Sequence, residues 1–199
     1  MLIWKYNLRT FSKYLRVNFK HNLSSLIKFF KNKLGHKTFL VIASLIVGIL
    51  SGLAAVLLKN LVHFFQSEPK SLLKNFEIQY LLPITPLIGI LLSVLLIKFV
   101  FKGNFTRGLS NLIYLILRKD SNVPRRKILS HLLTSGVTIG LGGSAGLEAP
   151  IVIIGSSIGS NVAKDLKLNY QTRTLLLACG AAAGISAIFN SPIAGVIFG

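Results

Sequence analysis

Cysteine, carboxylate and clustered histidine are scarce in this sequence, and each shortage removes a class of function. A single cysteine, Cys179, excludes an internal disulfide and leaves that side chain a small-residue packing role. The four histidines, His21, His36, His63 and His131, are scattered without ligand spacing. No metal centre and no organic cofactor is therefore expected, and the chain does not read as an enzyme. A glycine-rich stretch is present, but no Gly-Lys-Ser/Thr follows it, so a phosphate-cradling P-loop is ruled out. The first 37 residues lack a continuous apolar core and an A-x-A-like cleavage site, so no cleavable signal peptide is expected.

The acids number five against 23 Lys and Arg, a formal net charge of +18 over 199 residues. A soluble chain that basic is normally poor in apolar runs. Here 52% of residues are hydrophobic and the mean hydropathy is +0.64. Uncharged runs occupy residues 38–58, 78–97, 128–147, 149–163 and 174–199. Several reach the roughly 20 residues that cross about 30 Å of hydrocarbon. The expected class is an all-α polytopic membrane protein whose surroundings are the lipid bilayer of the cell membrane, with no nucleic acid as partner.

Residues 1–37 carry nine Lys/Arg and no acid. Trp4, Leu8, Phe11, Leu15, Phe19, Leu26 and Phe30 recur at spacings that suit one helical face. The pattern predicts a basic amphipathic helix lying on the cytoplasmic membrane surface. A nucleic-acid arm or an organellar transit peptide is the competing reading. Residues 38–58 predict the first spanning helix, extendable to His63, with Gly48 and Gly52 spaced to admit a neighbouring helix. Glu68-Pro69 and the mixed charges to Glu77 predict a polar loop, and residues 80–101 a second span with Pro83 and Pro86 in its first turns. Residues 102–127 then hold seven Lys/Arg against one acid, Asp120, which puts them and the N-terminus on the cytoplasmic side. Within them, residues 109–117 are apolar but too short to cross, and read as a half-helix dipping inward.

The stretch that organises the rest is Gly140-Leu-Gly-Gly-Ser-Ala-Gly146-Leu-Glu148-Ala-Pro150. Inside a bilayer, broken backbone is tolerated only where protein buries it or where it lines a watery cavity. The stretch therefore predicts a helix that ends near residue 141 and a second, from Pro150 to Ala163, that starts partway through the membrane. Its free N–H groups and positive dipole end make an anion site. Of the five acids only Glu148 lies in apolar sequence. A carboxylate at membrane depth costs about 2.5–3.5 kcal/mol, and a helix N-terminus returns roughly 0.3–1 kcal/mol, or ~2 when buried. The residue is thus poised between protonated and ionised forms, able to swing aside and admit another anion. The bland alternative is a glutamate that only caps a helix. Gly140-x-Gly142-x-x-Ala145 also matches a dinucleotide fingerprint, but apolar helical runs flank it where a strand is required. Further pairs at the same spacing, Gly136/Gly140, Gly155/Gly159 and Gly180/Gly184, predict closely packed, short, tilted helices, and Phe189-Asn-Ser-Pro192 predicts another break before a helix at Ile193.

Two of these motifs carry a resemblance. Gly146-Leu-Glu148-Ala-Pro150, followed by Gly155 and Gly159, resembles the central motif of the CLC chloride channels and chloride/proton exchangers. Phe189-Asn190-Ser-Pro192-Ile-Ala-Gly195 is similar to that family's later helix start, in the same order along the chain. The resemblance implies a CLC-like inverted-repeat fold with broken and short tilted helices, of which residues 38–199 form the first repeat of the transmembrane anion-transport domain, stopping within an apolar segment. It implies a homodimer carrying chloride, and in exchangers protons, with Glu148 as the gate. The backbone N–H groups of Gly146, Leu147 and Ala149 would face the anion. At the family's inner-site motif this chain reads Thr106-Arg107-Gly108, with arginine in place of the anion-holding serine. Two other functions stay open: a broken-helix secondary transporter for an organic anion, and a non-transporting membrane scaffold whose glycine faces only assemble partners.

Overall fold

A computed structural model of the chain describes residues 35–75, 84–101, 108–118 and 121–198. Residues 1–34, on which the interfacial helix was expected, lie outside them, as do Thr106 and Arg107. The chain forms two compact units, residues 1–42 and 43–199. Described residues of the first are the opening turns of α1 (His36–Asn75), which begins with Phe39 N–H donating to Gly35 C=O. All packing below lies within the second unit.

The described residues are helical without strands. After α1 come α2 (Thr85–Leu95), which continues as a π-helical turn over Leu96–Val100, then α3 (Gly108–Leu117) and α4 (Arg126–Gly140). They are followed by α5 (Glu148–Asp165), α6 (Tyr170–Phe189) and α7 (Pro192–Phe198). Among them Lys37–Ser67 and Tyr170–Phe189 are long and apolar enough to cross a membrane. The expected half-helix is α3, ten residues long. The fingerprint reading fails here too, because helices flank the glycine stretch on both sides.

The first helix departs from expectation. It runs to Asn75, so residues 68–75 are helical where a polar loop was predicted. Docking accounts for the helix as far as Phe65. A Cβ added to Gly136 of α4 would overlap the Leu61 side chain, and one on Gly140 would stand 2.5 Å from Phe65 Cβ and 3.1 Å from Val62 C=O. The glycine face of α4 thus holds α1 in place through Phe65. The forty residues extend about 60 Å at helical rise, roughly twice the hydrocarbon thickness, so a tilt or a projecting end is required.

The core is built on α5. Eleven of its 18 residues are buried, which makes it the helix the others cover. Ile151, Ile154 and Ile158 pack with Ala54, Ala55 and Leu58 of α1. On the other side Gly155 and Gly180 stand backbone to backbone, so a Cβ on either would strike the other's carbonyl. One turn along, a Cβ on Gly159 would strike the Leu176 carbonyl, and one on Gly184 would stand 3.0 Å from Ile151 Cγ1. The paired glycines predicted from spacing thus form one seam between α5 and α6. The helices approach this closely because no side chain stands between them. α7 folds back on α6, where a Cβ on Gly195 would overlap Ser186 Oγ and stand 2.5 Å from the Ala182 carbonyl oxygen.

Candidate functional site

The glycine stretch begins where α4 ends. Leu141 N–H closes the helix onto Val137 C=O at 3.0 Å. Gly142 then takes φ +94°, a left-handed conformation that a side chain would strain. Gly143 N–H returns to Thr138 C=O at 2.8 Å, and Ala145 N–H to Gly143 C=O at 2.9 Å. Two hydroxyls stiffen this base. Thr138 Oγ1 shares a 2.6 Å hydrogen bond with Ser93 Oγ of α2 and donates to Thr134 C=O at 2.8 Å. The first turn of α2 lies against the loop, with Pro86 Cγ 3.4 Å from where a Gly142 Cβ would stand. The Ser130, Thr134, Thr138 spacing on α4 was visible in the sequence as an i, i+4 series, but its role as the loop's footing was missed.

The loop delivers the chain to α5, whose start differs from expectation by two residues. The helix begins at Glu148 with Leu147 as its N-cap, so Pro150 is the third helical residue rather than the first. Nothing is lost by this. The first intrahelical bond runs from Ile151 N–H to Leu147 C=O at 3.1 Å, so the N–H that Pro150 lacks would have had no helical partner. No side chain caps this turn. The amides of Leu147, Glu148 and Ala149 are therefore the free donors, in an exposed stretch running from Ser144 to Ala149 and interrupted only by half-buried Leu147.

Glu148 is exposed and makes no ion pair or hydrogen bond among the described residues. Its carboxyl does not extend away from the helix. It curls back over Gly146: a Cβ built on that residue would overlap Oε2 outright and stand 2.7 Å from Cδ and 3.1 Å from Oε1. The carboxyl thus lies beside Gly146, at the same exposed helix start as the unpaired amides. An uncapped helix start of this kind favours negative charge.

The opposite end of α5 is fully occupied. Ser160 Oγ accepts from Val123 N–H at 2.9 Å and donates to Ser121 C=O at 2.6 Å. Asn161 Nδ2 donates to Val123 C=O at 3.0 Å. Ser121 Oγ bonds Thr174 Oγ1 of α6 at 2.7 Å, and Arg125 pairs with Asp165. These bonds pin the segment between α3 and α4. They were not anticipated, because Ser160 and Asn161 read as ordinary polar residues in a small, apolar helix. Gly108, the described member of the expected inner-site motif, opens α3 at φ +70° and is exposed. No contact brings it together with Glu148 among the described residues.

Comparison with known proteins agrees with this architecture. The profile of the family described as voltage gated chloride channel matches residues 88–199, which takes in α2 beyond its first turn and every later element. The chain is similar to the H(+)/Cl(-) exchange transporter ClcA of Vibrio cholerae, 32% identical over 166 residues, 78% of this chain and 34% of that protein. It is 31% identical over 119 residues, 58% of this chain and 28% of the relative, to a putative chloride channel protein ClcB-like of Ralstonia nicotianae. Over a shorter stretch of 62 residues, 31% of this chain and 13% of the relative, identity to the ClcA transporter of Citrobacter koseri reaches 47%. The chain spans about a third of the length of the first two of these relatives. With the profile covering more than half its residues and the helices broken where the motifs required, this all-α membrane chain belongs to the voltage gated chloride channel family.

Proposed function

We propose that this chain forms part of a transmembrane chloride pathway in which Glu148 is the gate. One observation carries the reading: the single acid within apolar sequence stands at an uncapped helix start, with its carboxyl turned back over Gly146. As a carboxylate, Glu148 occupies that volume and excludes a halide. Protonated, it gives up its attraction for the amides, swings aside and lets chloride bind the N–H groups of Leu147 and Ala149, with Gly146 beside them. The same side chain then carries a proton each time it exchanges with the anion, so chloride flow is coupled to proton flow. The relatives named as H(+)/Cl(-) exchange transporters favour this coupled form over a simple channel.

Thr106, Arg107 and Gly108 would flank the inner mouth, where an arginine attracts anions toward the pathway from the cytoplasmic side. The excess of Lys and Arg in residues 1–37 and 102–127 supports that orientation, with the N-terminus cytoplasmic. Residues 1–37 would lie on the membrane surface and residues 38–199 within the transport domain of a homodimer in the cell membrane.

The test is chloride efflux from proteoliposomes holding the intact protein, with proton movement followed in parallel. A chloride gradient should drive protons in the opposite direction, and Glu148→Gln should abolish proton movement while chloride flux persists without its acid stimulation. No chloride flux from the wild type would defeat the reading in favour of another substrate. Transport that Glu148→Gln leaves wholly unchanged would return Glu148 to a helix-capping role.

A further inference from the structure

The glycines around the site are not equivalent, and one of them has no structural task of its own. Gly142 is required by its φ of +94°. Gly143 is required by the Thr138 carbonyl, which would lie 2.6 Å from an added Cβ, and Gly140 by Phe65 Cβ and the Val62 carbonyl. Gly146 meets neither condition. Its φ lies outside the left-handed range, and the three nearest atoms to an added Cβ all belong to the Glu148 carboxyl group. The backbone there would accept alanine, and only the tip of one flexible side chain would have to leave.

We infer that Gly146 is a positioning residue for the gate: its missing side chain is the seat into which the Glu148 carboxyl folds, and a methyl group there holds the gate out of the pathway without disturbing the fold. The inference rests on the proposed role of Glu148 and adds what lets that carboxyl turn back over the helix start. A carboxylate is drawn toward the helix start by the dipole, but the folded-back position is open to it only if the residue two positions earlier leaves room. Alanine removes that room regardless of protonation, so it acts on the resting position of the gate and not on its chemistry. A residue that merely stabilised the loop would change yield or melting temperature and leave the pH response intact.

The experiment measures chloride efflux from proteoliposomes of the intact protein at about pH 7.5 and about pH 4.5, a span that runs from far above the ordinary carboxyl range down toward it. It compares wild type, Gly146→Ala, Glu148→Ala and the double variant, with chloride affinity measured by calorimetry in detergent at about pH 7.5. Wild type should show efflux rising about tenfold or more on acidification. Gly146→Ala should bring that ratio to about 1, as Glu148→Ala does, and should tighten chloride binding at the higher pH. In the Glu148→Ala background the added alanine should change neither readout, because its effect runs through the side chain already removed. A wild-type pH ratio in Gly146→Ala, or weaker chloride binding, overturns the inference while leaving the gate in place. So does an equal effect of the alanine with and without Glu148, since the methyl group would then be acting on the anion directly. A wild-type ratio in Glu148→Ala overturns the gate itself and the inference with it.

Discussion

Gly155/Gly159 and Gly48/Gly52 share a spacing and almost nothing else. The first pair lies on α5 in backbone contact with α6, where a single added carbon would strike Gly180 or Leu176 carbonyls. The second lies on α1 with nothing within 4 Å of either added Cβ, although Val47 next door reaches toward Gly180 and Ala54, Ala55 and Leu58 pack on α5. Small residues one turn apart mark a face that a neighbour is able to approach. They do not say which neighbour, or whether one comes from within these 199 residues. The expectation that both pairs serve close packing holds for the α5–α6 seam and fails for α1 among the described residues.

The largest effect should come from breaking the seam. Gly155→Val would put three carbons where the Gly180 carbonyl carbon lies 2.8 Å from the first of them. Neither backbone is able to yield, because each belongs to a long helix packed on its other side. Overpacking of this kind costs about 3 kcal/mol. The intact protein should show a melting temperature in detergent lower by several degrees, with a sharp fall in folded yield. A variant that expresses and melts like wild type would mean that the seam opens without cost.

What was legible in the sequence follows the same division. The break at residues 140–147, the lone acid and the helix beyond it were readable, because a bilayer permits glycine clusters, proline and a carboxylate only under narrow conditions. The short α3 was readable from the length of its apolar run, and the break at Asn190, which takes φ +52°, from Asn-Ser-Pro. The docking of α1 through Phe65 was not, since it depends on Gly136 and Gly140 about seventy-five residues later offering a groove to Leu61 and Phe65. The start of α5 was placed two residues late because proline serves the first turn at more than one position. The curl of Glu148 over Gly146 was invisible, being a matter of which way one side chain turns.

An intermediate effect should come from the polar end of α5, which sets the seam against a different kind of contact on the same helix. Ser160→Ala keeps the size of the side chain and removes one oxygen that both accepts from Val123 N–H and donates to Ser121 C=O. Both partners belong to buried residues, so each is left to find water or go unpaired. The cost should be about 1–3 kcal/mol, read as a lower melting temperature and faster hydrogen exchange across residues 121–125. Proton-coupled chloride flux should survive, because these bonds lie at the end of α5 opposite Glu148. A loss of transport with unchanged stability would show that the two ends are coupled, and would weaken the separation of scaffold from site.

The smallest effect should be at Gly48. Alanine is a better helix former than glycine by about 1 kcal/mol, and the added methyl meets nothing within 4 Å, so Gly48→Ala should leave stability unchanged or raise it slightly. The same substitution at Gly155 would drive a carbon into a carbonyl. Opposite signs from one chemical change at two positions of identical spacing would establish that environment, not motif, decides what these glycines do. The informative failure is a marked loss at Gly48 in the intact protein. Helix propensity cannot produce that sign, so a loss would require something to lie against the Gly48/Gly52 face in the assembled membrane protein. Melting the protein at graded dilution would then separate the two sources: a penalty that deepens on dilution points to a second copy, and one that does not points to the same polypeptide.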